Sequence, residues 1–542
     1  MYSLQPKTTK LGYKNAYHLL RRCSYKLTKS VIETYAEKTP EQAVIDLFNY
    51  TEVPHLRPKN PYGETYMRTY RYPDVNNSHG NAGIGLNIGQ WWCYNTLHEV
   101  SLQFRLQFLM HNFFPTAKAG GDHWNNNDYT ELLAYHAKGS IKSLAIDISK
   151  NVKMAFYLDN RLNTASNPND NYSREFLELF TILKGDQIAT GNYTNYTEQD
   201  VTQAQRVFTG YTSDINFNRS KSSRLNNITK IPEAELIVGN HDTGDKIFSA
   251  AFNNTTIKGG TTADEIKTEL SNFVDMVFNE LETAKNYVRR FYRFFVGREL
   301  TTEVENEIIT SLANTLKDNN YLIKPMLTKL LVSQHFYDED DTTVGDHRIG
   351  ALVKSPLELA TQLFTIFEVP LPNYDTQTAS CISFSRNKII KLCQSTGMNL
   401  FEPESVGGYA GYSGAPYDKN FITTNSLKLR YDSLIDELLT GYTINGFQFY
   451  LDSVLFVKDS SHFSAPDTAS VLLQEFFDLL LIKTPTGTRF TYFEQALLNG
   501  LSATNWFFVW DNFLKTGDAS DAKLYLDRLI SALVKSPEYQ IM

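Results

Sequence analysis

The segment 167–180 (NPNDNYSREFLELF) combines amide, acidic and basic side chains that could bind a ligand or catalyse a reaction. Its first five residues predict a turn, because Asn and Asp side chains hydrogen-bond to their own backbone. Asp170 or Asn171 is expected to cap a helix that begins at about Ser173. The amides of Asn169 and Asn171 are therefore candidates for binding a ligand at this turn.

The helix that follows this turn is expected to carry two carboxylates on one face, because Glu175 and Glu178 are three residues apart. Such a pair can act as a general acid and base or hold a divalent metal. Arg174 lies four residues before Glu178, so these side chains could instead form a buried Arg–Glu network that fixes helix packing. The segment contains no Glu-x-x-His and so lacks the ligand pair of a ferritin-like di-iron site. Arg174, Glu175 and Glu178 are catalytic candidates, with the structural network as the alternative.

His111 is a further catalytic candidate, near the end of a long amphipathic helix predicted over residues 91–114. A protonated imidazole at that position would meet the negative end of the helix dipole, so a capping role could also explain it. Asp122, His123 and Asp128 follow in a polar loop. Three such side chains in one loop are a weak indication of a metal site.

The turn 239–246 (GNHDTGDK) places His241, Asp242 and Lys246 close together in sequence. These three residues are candidates for binding, because a His–Asp pair could hold a metal or orient a base. A tight polar hairpin turn is the alternative. His18, beside two leucines and two arginines, is typical of a buried, hydrogen-bonded histidine.

The cofactor motifs with a recognisable spacing are missing from the sequence. The four cysteines form no C-x-x-C pair, so we expect buried free thiols rather than a zinc or c-type haem site. The P-loop, the Rossmann glycine fingerprint, H-E-x-x-H and G-x-S-x-G are also missing. The sequence thus has no haem, nucleotide or flavin motif, and a divalent metal is the cofactor that its polar residues leave open.

Charge and hydropathy restrict the partners and the location. The net charge is −8 at pH 7, and no run of Lys and Arg is long enough to bind phosphates along a nucleic acid. The sequence shows neither an apolar signal segment nor a run of 18 apolar residues, so it predicts no transmembrane segment. The cytoplasm is the location expected from sequence alone, with export through an unrecognised signal as the alternative.

Helical signals dominate the 542 residues and position these candidate residues. The sequence predicts a mainly α protein, a large multi-helix, bundle-like architecture with a small irregular or β insertion around residues 211–262. We expect one continuous body made of five regions, which are residues 1–185, 186–262, 263–368, 369–420 and 421–542. The fourth region is expected to be rich in loops, and a strand is expected at residues 447–457.

The order and wording of several motifs resemble one bacterial family, domain of unknown function 1800. The resemblance spans nearly the whole chain and is carried by HLLRR (18–22), QFLMHNFF (107–114), MAFYLDN (154–160), PNDNYSREFLELFTI (168–182), YTEQDVTQAQRVFTGY (196–211), HDTGDK (241–246), KSPLEL (354–359) and FEPESVGGY (401–409). The closing SPEYQIM (536–542) is similar to the ending of members from Bacteroidota-type bacteria.

Four positions depart from the family's usual wording. Met110 stands where the family's long-helix motif has Trp, and Phe113 stands where that motif has its second His. Asp170 replaces a Glu in the central motif, and Tyr409 replaces a Trp. If the second His is a metal ligand in the family, this chain lacks that ligand.

The resemblance implies a mostly helical protein without an established activity. Many members look exported or envelope-associated, and they are commonly encoded beside a second family, domain of unknown function 1501, which suggests a protein partner. The first interpretation is therefore an assembly or accessory protein of the cell envelope, organised on the polar helix segment. It predicts an exposed apolar or aromatic patch, for which the glycine-tyrosine loop 407–417 is a candidate.

Two further interpretations compete with the first. One is a hydrolase-like enzyme, assisted by a divalent metal, whose side chains would converge on one pocket: His111, Arg174, Glu175, Glu178, His241 and Asp242. The other is a polar core with a purely structural role, in which Glu178 belongs to a buried pair whose loss would clearly lower the melting temperature.

Overall fold

Helices make up most of the computed structural model, which describes residues 2–50, 80–117, 123–213, 226, 228–229, 231–340, 348–414, 417–459 and 461–542. The predicted mainly α class is confirmed, because the strands form only small two-stranded sheets. Among the helices of the described ranges, none has both the length and the apolar character needed to cross a membrane.

The first part of the chain contains most of the candidate residues. Its helices are α1 (Gly12–Cys23), α2 (Lys29–Ala36), α3 (Pro40–Phe48), α4 (Gly80–Thr96), α5 (Gln103–Phe113), α6 (His123–His136), α7 (Ile141–Ser149), α8 (Val152–Tyr157), α9 (Asn171–Glu175) and α10 (Glu198–Val207). A π-helical turn, Phe176–Phe180, continues α9. This turn and the start of α9 at Asn171 replace the helix that was expected from Ser173.

The single helix predicted over residues 91–114 is wrong, because α4 ends at Thr96 and α5 begins at Gln103. Side chains close the first of these helices: the Thr96 hydroxyl donates to the Cys93 carbonyl at 2.6 Å. The Leu102 amide then donates to the Leu47 carbonyl of α3 at 3.0 Å instead of continuing a helix. Apolar periodicity continues through the break, so the sequence pattern did not reveal it.

The described part of the predicted β insertion contains short antiparallel strand pairs. A first pair, β1 (Gln187–Ala189) and β2 (Asn192–Tyr193), precedes α10. Two further antiparallel pairs lie in the predicted region: β3 (Tyr211–Thr212) with β4 (Glu235–Leu236), and β5 (Lys246–Ile247) with β6 (Thr256–Ile257). Residues 214–225, 227 and 230 of that region lie outside the described part of the chain.

Helices return after the hairpins and continue to the end of the chain. They are α11 (Ala263–Asn279), α12 (Leu281–Phe295), α13 (Thr310–Asp318), α14 (Ile323–Leu331), α15 (Pro356–Ile366), α16 (Thr378–Phe384), α17 (Lys391–Ser395), α18 (Thr424–Tyr431), α19 (Glu437–Thr440), α20 (Ser453–Lys458), α21 (Ala469–Leu480), α22 (Gly487–Leu498), α23 (Ala503–Thr516) and α24 (Ser520–Val534). Further π-helical turns are Val304–Ile309, Ser385–Ile390 and Asp432–Asp436.

Two expectations for this part change. The region 369–420, expected to be rich in loops, contains α16, α17 and the π-helical turn between them. The strand expected at residues 447–457 is shorter, because β8 (Phe447–Phe449), paired with β7 (Tyr442–Ile444), gives way to α20. Asp452 ends the extended segment, since its carboxylate caps α20 by accepting the Val454 and Leu455 amides at 3.1 and 3.0 Å.

One connected cluster of buried apolar side chains extends from Leu11 to Tyr539. Aromatic rings make up much of it, in line with the 34 Phe and 32 Tyr of the sequence. Phe108 of α5, for example, stacks on Tyr409 with ring centroids 5.3 Å apart. Helices distant in sequence therefore share one interior, while the division into five regions stays a prediction.

Candidate functional site

The turn of the 167–180 segment is held by its own amides. Asn169 receives the Asn171 amide on Oδ1 at 3.0 Å, and its backbone N–H donates to Asn163 Oδ1 at 3.0 Å. The Asn171 side chain donates to the Leu158 carbonyl at 3.2 Å, and that of Asn163 donates to the Gln205 carbonyl at 2.9 Å. These contacts give Asn169 and Asn171, both predicted to bind a ligand, a role in joining the turn to α8 and α10.

Arg174 joins the two helices that flank the hairpin of β1 and β2. Its guanidinium holds both carboxylate oxygens of Glu198, the first residue of α10, at 2.7 and 2.9 Å. It also pairs with Asp170 at 2.8 Å. The hydrogen bonds that Arg174 donates to Glu198 raise the pKa of Arg174 above its ordinary value. Asp170 precedes α9 as predicted, but in place of a side-chain cap its carboxylate forms this ion pair.

The two carboxylates of the segment differ in their surroundings. Glu178 forms an ion pair with Lys184 and accepts a hydrogen bond from the Tyr196 hydroxyl at 3.3 Å. Glu175 is half-buried, and within the described part of the chain its Oε2 has no hydrogen-bond partner. Burial raises the pKa of Glu175, and the nearby charge of Glu178 raises it further. The segment thus forms a polar hub whose side chains bind protein groups, mostly in the elements on either side of it.

Replacing Glu178 by Ala is expected to lower the free energy of unfolding by less than about 1 kcal/mol. The Glu178 and Lys184 side chains are 22% and 39% exposed, so solvent screens their attraction. The buried pair assumed by the structural interpretation would lose about 3–5 kcal/mol. Urea denaturation, with Glu175→Gln as the control, distinguishes the two results, and a loss above about 3 kcal/mol for Glu178→Ala would contradict the exposed pair.

His241 lies in a buried network between the hairpins and α11. Its Nε2 is 3.1 Å from Glu269 Oε2, and its Nδ1 is 3.0 Å from the Thr209 carbonyl oxygen. Lys246 Nζ lies 2.6 Å from Glu269 Oε1, and the side chains of His241, Lys246 and Glu269 are fully buried. The Lys246 ammonium also donates to the Asp242 carbonyl.

Asp242 anchors the same turn to α10. Its carboxylate accepts two hydrogen bonds from Arg206, at 2.8 and 2.9 Å, and these lower its pKa. The amide of Gly244 donates to the same carboxylate at 2.9 Å. The turn 239–246 therefore fastens β5 to α10 and α11, which agrees with the polar-turn alternative.

The sequence analysis did not single out Glu269, although the sequence indicates that this carboxylate is buried. The apolar stripe of α11 runs through Ile266, Leu270 and Phe273, and Glu269 lies within it at helical spacing. A carboxylate at such a position is buried and so requires a basic partner. The sequence alone does not identify that partner.

His111 lies away from these groups, on the wall of a cleft of about 410 Å³. We call it the His111 cleft. Its walls come from α4, α5, α6, the π-helical turn Ser385–Ile390, α17 and residues 399–402. The His111 ring packs against Phe401 and Tyr129, with ring centroids 5.2 and 6.2 Å away.

Burial lowers the pKa of His111 to about 3, and the nearby charge of Lys153 contributes to this reduction. A hydrogen bond with the Thr116 carbonyl opposes these two effects. The imidazole is therefore neutral near pH 7. This argues against the alternative of a protonated helix cap, because burial disfavours the imidazolium. Among the described residues, Nδ1 of His111 has no hydrogen-bond partner.

Other polar side chains share the cleft with His111. Gln90 of α4 is buried, and within the described ranges its Oε1 also has no hydrogen-bond partner. Arg386 and Lys391 are exposed at the cleft, together with Gln394. The cleft thus combines two buried side chains that carry unused acceptor or donor capacity with basic groups open to solvent.

Asn112 connects the end of α5 to the glycine-tyrosine loop. Its Oδ1 accepts the Tyr409 amide at 2.9 Å. Gly408 has φ +87°, and a Cβ there would lie 2.3 Å from Asn112 Oδ1, so glycine is required at this contact. Of the three tyrosines in the loop 407–417, Tyr409 and Tyr412 are buried and Tyr417 is exposed, so the loop presents one ring rather than a patch of several.

The exposed apolar side chains also include a group on α23. Phe508 and Leu514 are 61% and 55% exposed. Phe507 of the same helix is also exposed. The prediction of an assembly surface stays untested, and this helix is where such a surface would be sought.

The structure distributes the predicted site residues over separate places. The polar hub and the His241 turn adjoin, because the Ala165 amide donates to the Asn240 carbonyl at 2.9 Å. His111 instead packs against Tyr409 and Phe401. Among the described residues, no three His, Cys, Asp or Glu side chains are grouped closely enough to hold a metal. Asp122 and the side chain of His123 lie outside the described residues, and Asp128 is buried on α6.

The helical architecture and the motifs that form the polar contacts point to one protein family. The chain belongs to the family described as "Protein of unknown function (DUF1800)", whose model matches residues 18–541. Comparisons with curated proteins and with solved structures found no match. The family resemblance noted in the sequence is thus confirmed over nearly the whole chain, while a partner of the domain of unknown function 1501 family stays a prediction.

Proposed function

We propose that this chain is a binding protein for a small ligand rich in hydroxyl groups, such as a saccharide, and that the ligand occupies the His111 cleft. One observation supports this proposal above the others. Two buried side chains on the wall of the cleft, His111 and Gln90, each carry a polar atom without a hydrogen-bond partner among the described residues.

The chemistry of these two atoms defines what the ligand must offer. The hydrogen bond between His111 and the Thr116 carbonyl requires an N–H on the imidazole, because a carbonyl only accepts. Since Nδ1 is the nitrogen without a partner, the neutral ring has its N–H on Nε2 and a lone pair on Nδ1. Gln90 Oε1 is also an acceptor. Both atoms therefore need a donor, and leaving a buried acceptor unused costs about 1–3 kcal/mol each.

The remaining surface of the cleft suits a sugar ring. Phe401 and Tyr129 provide aromatic surface next to His111, while Asn126, Thr130 and Asn399 add polar groups. Small-molecule sites are typically about 300–1,000 Å³ and combine apolar walls with a few placed polar groups. The cleft, at about 410 Å³, is large enough for one or two saccharide units.

The protonation of His111 favours binding over acid–base catalysis. An efficient general base has a pKa near the working pH. The pKa of His111 is lowered to about 3 by burial, so its Nδ1 is a weak base and serves better as a hydrogen-bond acceptor. This agrees with the accessory role inferred from the family resemblance. The envelope location and the hydrolase-like alternative stay predictions.

We expect at least one sugar in a panel of glucose, galactose, N-acetylglucosamine, glucuronate and their disaccharides to bind the chain. Calorimetric titration would measure the affinity. Gln90→Leu and His111→Phe should each weaken that binding roughly fivefold or more, because each removes a hydrogen bond of about 1 kcal/mol. Gln90→Leu should not lose stability, since an apolar group replaces an unused buried acceptor, whereas His111→Phe also removes the hydrogen bond to the Thr116 carbonyl and should cost about 1–3 kcal/mol.

The matched control is His241→Phe, which removes a buried histidine outside the His111 cleft. It should leave sugar binding unchanged in molecules that remain folded. If no sugar in the panel binds, or if all three variants bind equally well, the proposal is wrong.

A further inference from the structure

A group of buried basic side chains lies between α1, α5, α15 and α18. One buried carboxylate, Glu358, accompanies them in this part of the described structure. The basic side chains are Arg21, Arg22, Arg105, Lys354 and Arg430. Burying a charge without compensation is costly, so each cation should have a partner that replaces water.

Arg22 and Arg105 have such partners. The Arg22 guanidinium donates to the carbonyls of Val296 and Arg348 at 3.0 and 2.8 Å, and to two other carbonyls. Arg105 forms a fully buried ion pair with Glu358. Charge-assisted hydrogen bonds of this kind are about twice as strong as neutral ones.

Arg430 is compensated as well, and Lys354 contacts an aromatic ring. Arg430 donates to Gln540 Oε1 and to the Lys354 carbonyl, both at 2.9 Å. The Lys354 ammonium lies 3.7 Å from the centre of the Tyr539 ring. Burial lowers the pKa values of Arg430 and Lys354, and the negative charge of Glu358 opposes this effect.

Arg21 differs from the three other arginines, each of which donates hydrogen bonds to oxygen acceptors. Its guanidinium lies over the Tyr17 ring, 4.5 Å from the centroid. Within the described part of the chain its Nε has no hydrogen-bond partner, and no carboxylate forms an ion pair with it. Burial lowers the pKa of Arg21 to about 10, against the influence of Tyr17, so the side chain remains charged at pH 7.

Arg21 also lines a cavity, of about 310 Å³, between α1 and the residues that follow α21. Two further basic residues, Lys14 and Lys483, lie on its wall with Asn15 and Thr484. The volume corresponds to about ten water molecules at roughly 30 Å³ each. A buried cation that lacks a described counter-ion therefore borders a space large enough for a small anion.

We propose that this space, the Arg21 cavity, binds a small oxyanion, a carboxylate or phosphate group, as the counter-ion of Arg21. The planar guanidinium matches the oxygens of both groups and is weakly hydrated, which suits a buried pair. Asp338 and Asp478 on the same wall repel highly charged anions. A monocarboxylate or a phosphate monoester fits better than a polyphosphate. The site is separate from the His111 cleft and independent of its ligand.

Calorimetric titration of the full chain with acetate and with inorganic phosphate, against chloride at equal ionic strength, tests the site. At least one of the two oxyanions should bind, and Arg21→Met should weaken that binding at least tenfold. Binding of acetate alone identifies a carboxylate site, and binding of phosphate alone identifies a phosphate site. Crystals soaked in selenate should show an anomalous peak beside Arg21.

The stability of the Arg21→Met variant in chloride provides a second test. A structural role for Arg21 would make the variant less stable, whereas the proposal expects no loss of stability. Arg21→Met removes an uncompensated buried charge, so its urea midpoint in chloride should equal or exceed that of the unchanged chain. The control is Arg489→Met, which removes an exposed, paired arginine and should leave anion binding unchanged. The proposal is overturned if neither oxyanion binds, if Arg21→Met binds as tightly as the unchanged chain, or if that variant is less stable in chloride.

Discussion

Replacing Glu269 by Gln is expected to lower the free energy of unfolding by about 3–5 kcal/mol. The substitution leaves the Lys246 ammonium buried without its carboxylate, which lies 2.6 Å away in a fully buried pair. It also changes the partner of His241 Nε2 and of the Gly260 amide, which donates to Glu269 Oε2 at 2.7 Å. The loss is large because the partner left behind has no access to water.

A double-mutant cycle separates the ion pair from the rest of the network. Lys246→Met combined with Glu269→Gln should recover part of the stability lost in Glu269→Gln, because no buried charge is then left alone. Asp275→Asn on the same helix is the control. The ion pair between Asp275 and Lys142 is half exposed, so Asp275→Asn should change the free energy of unfolding by less than about 1 kcal/mol. A loss below about 1 kcal/mol for Glu269→Gln would contradict the network described for the His241 turn.

The parts of the fold that the sequence predicted well are those decided by neighbouring residues. The start of α3 is an example: Thr39 and Gln42 exchange hydrogen bonds of 3.3 and 3.0 Å, as the Thr-Pro-Glu-Gln pattern indicates. The starts of α10 at Thr197 and of α15 at Ser355 also show capping boxes. Both partners of such a cap lie within four residues, so the local sequence contains the whole interaction.

The polar contacts that position the candidate sites join residues far apart in the chain. The partner of Arg105 is 253 residues away, and the partner of Asn112 is 297 residues away. A sequence pattern shows that such a side chain needs a partner but does not show which one. The same limit explains why His111, Glu175 and His241 were grouped into one hypothetical pocket. Each has the residue type of a catalytic group, while their distribution over different places depends on tertiary packing.

The break between α4 and α5 has a related cause. The apolar pattern of residues 91–114 fits a single helix, and the closing contacts come from Thr96 and from the Leu47 carbonyl of another helix. The π-helical turn Phe176–Phe180 is similar, because one extra residue in a helical turn hardly changes the pattern of apolar residues.

The carboxylate of Glu358 is buried among the basic side chains between α1 and α15, and its two oxygens have different partners. One oxygen pairs with Arg105, with both side chains fully buried. The other accepts the Ser355 amide at 2.7 Å and completes the capping box of α15. Burial raises the pKa of Glu358, but Arg105 and the Ser355 amide outweigh burial, so its pKa lies below the ordinary value.

Glu358→Gln should therefore lower the free energy of unfolding by at least about 3–5 kcal/mol at pH 7, because it leaves Arg105 buried beside other cations without its counter-ion. Ser355→Ala is the control for the cap and should cost about 1 kcal/mol. The pH dependence follows from the low folded pKa. The contribution of the Glu358 charge is fully present above the unfolded pKa of about 4.3 and is lost as pH falls through the folded pKa. Urea denaturation of both chains from pH 7 to pH 3 should show a constant difference above about pH 4.3 that narrows below it. A difference that is small at pH 7, or that stays unchanged through the acid range, would show that the Glu358 carboxylate does not compensate the buried cations.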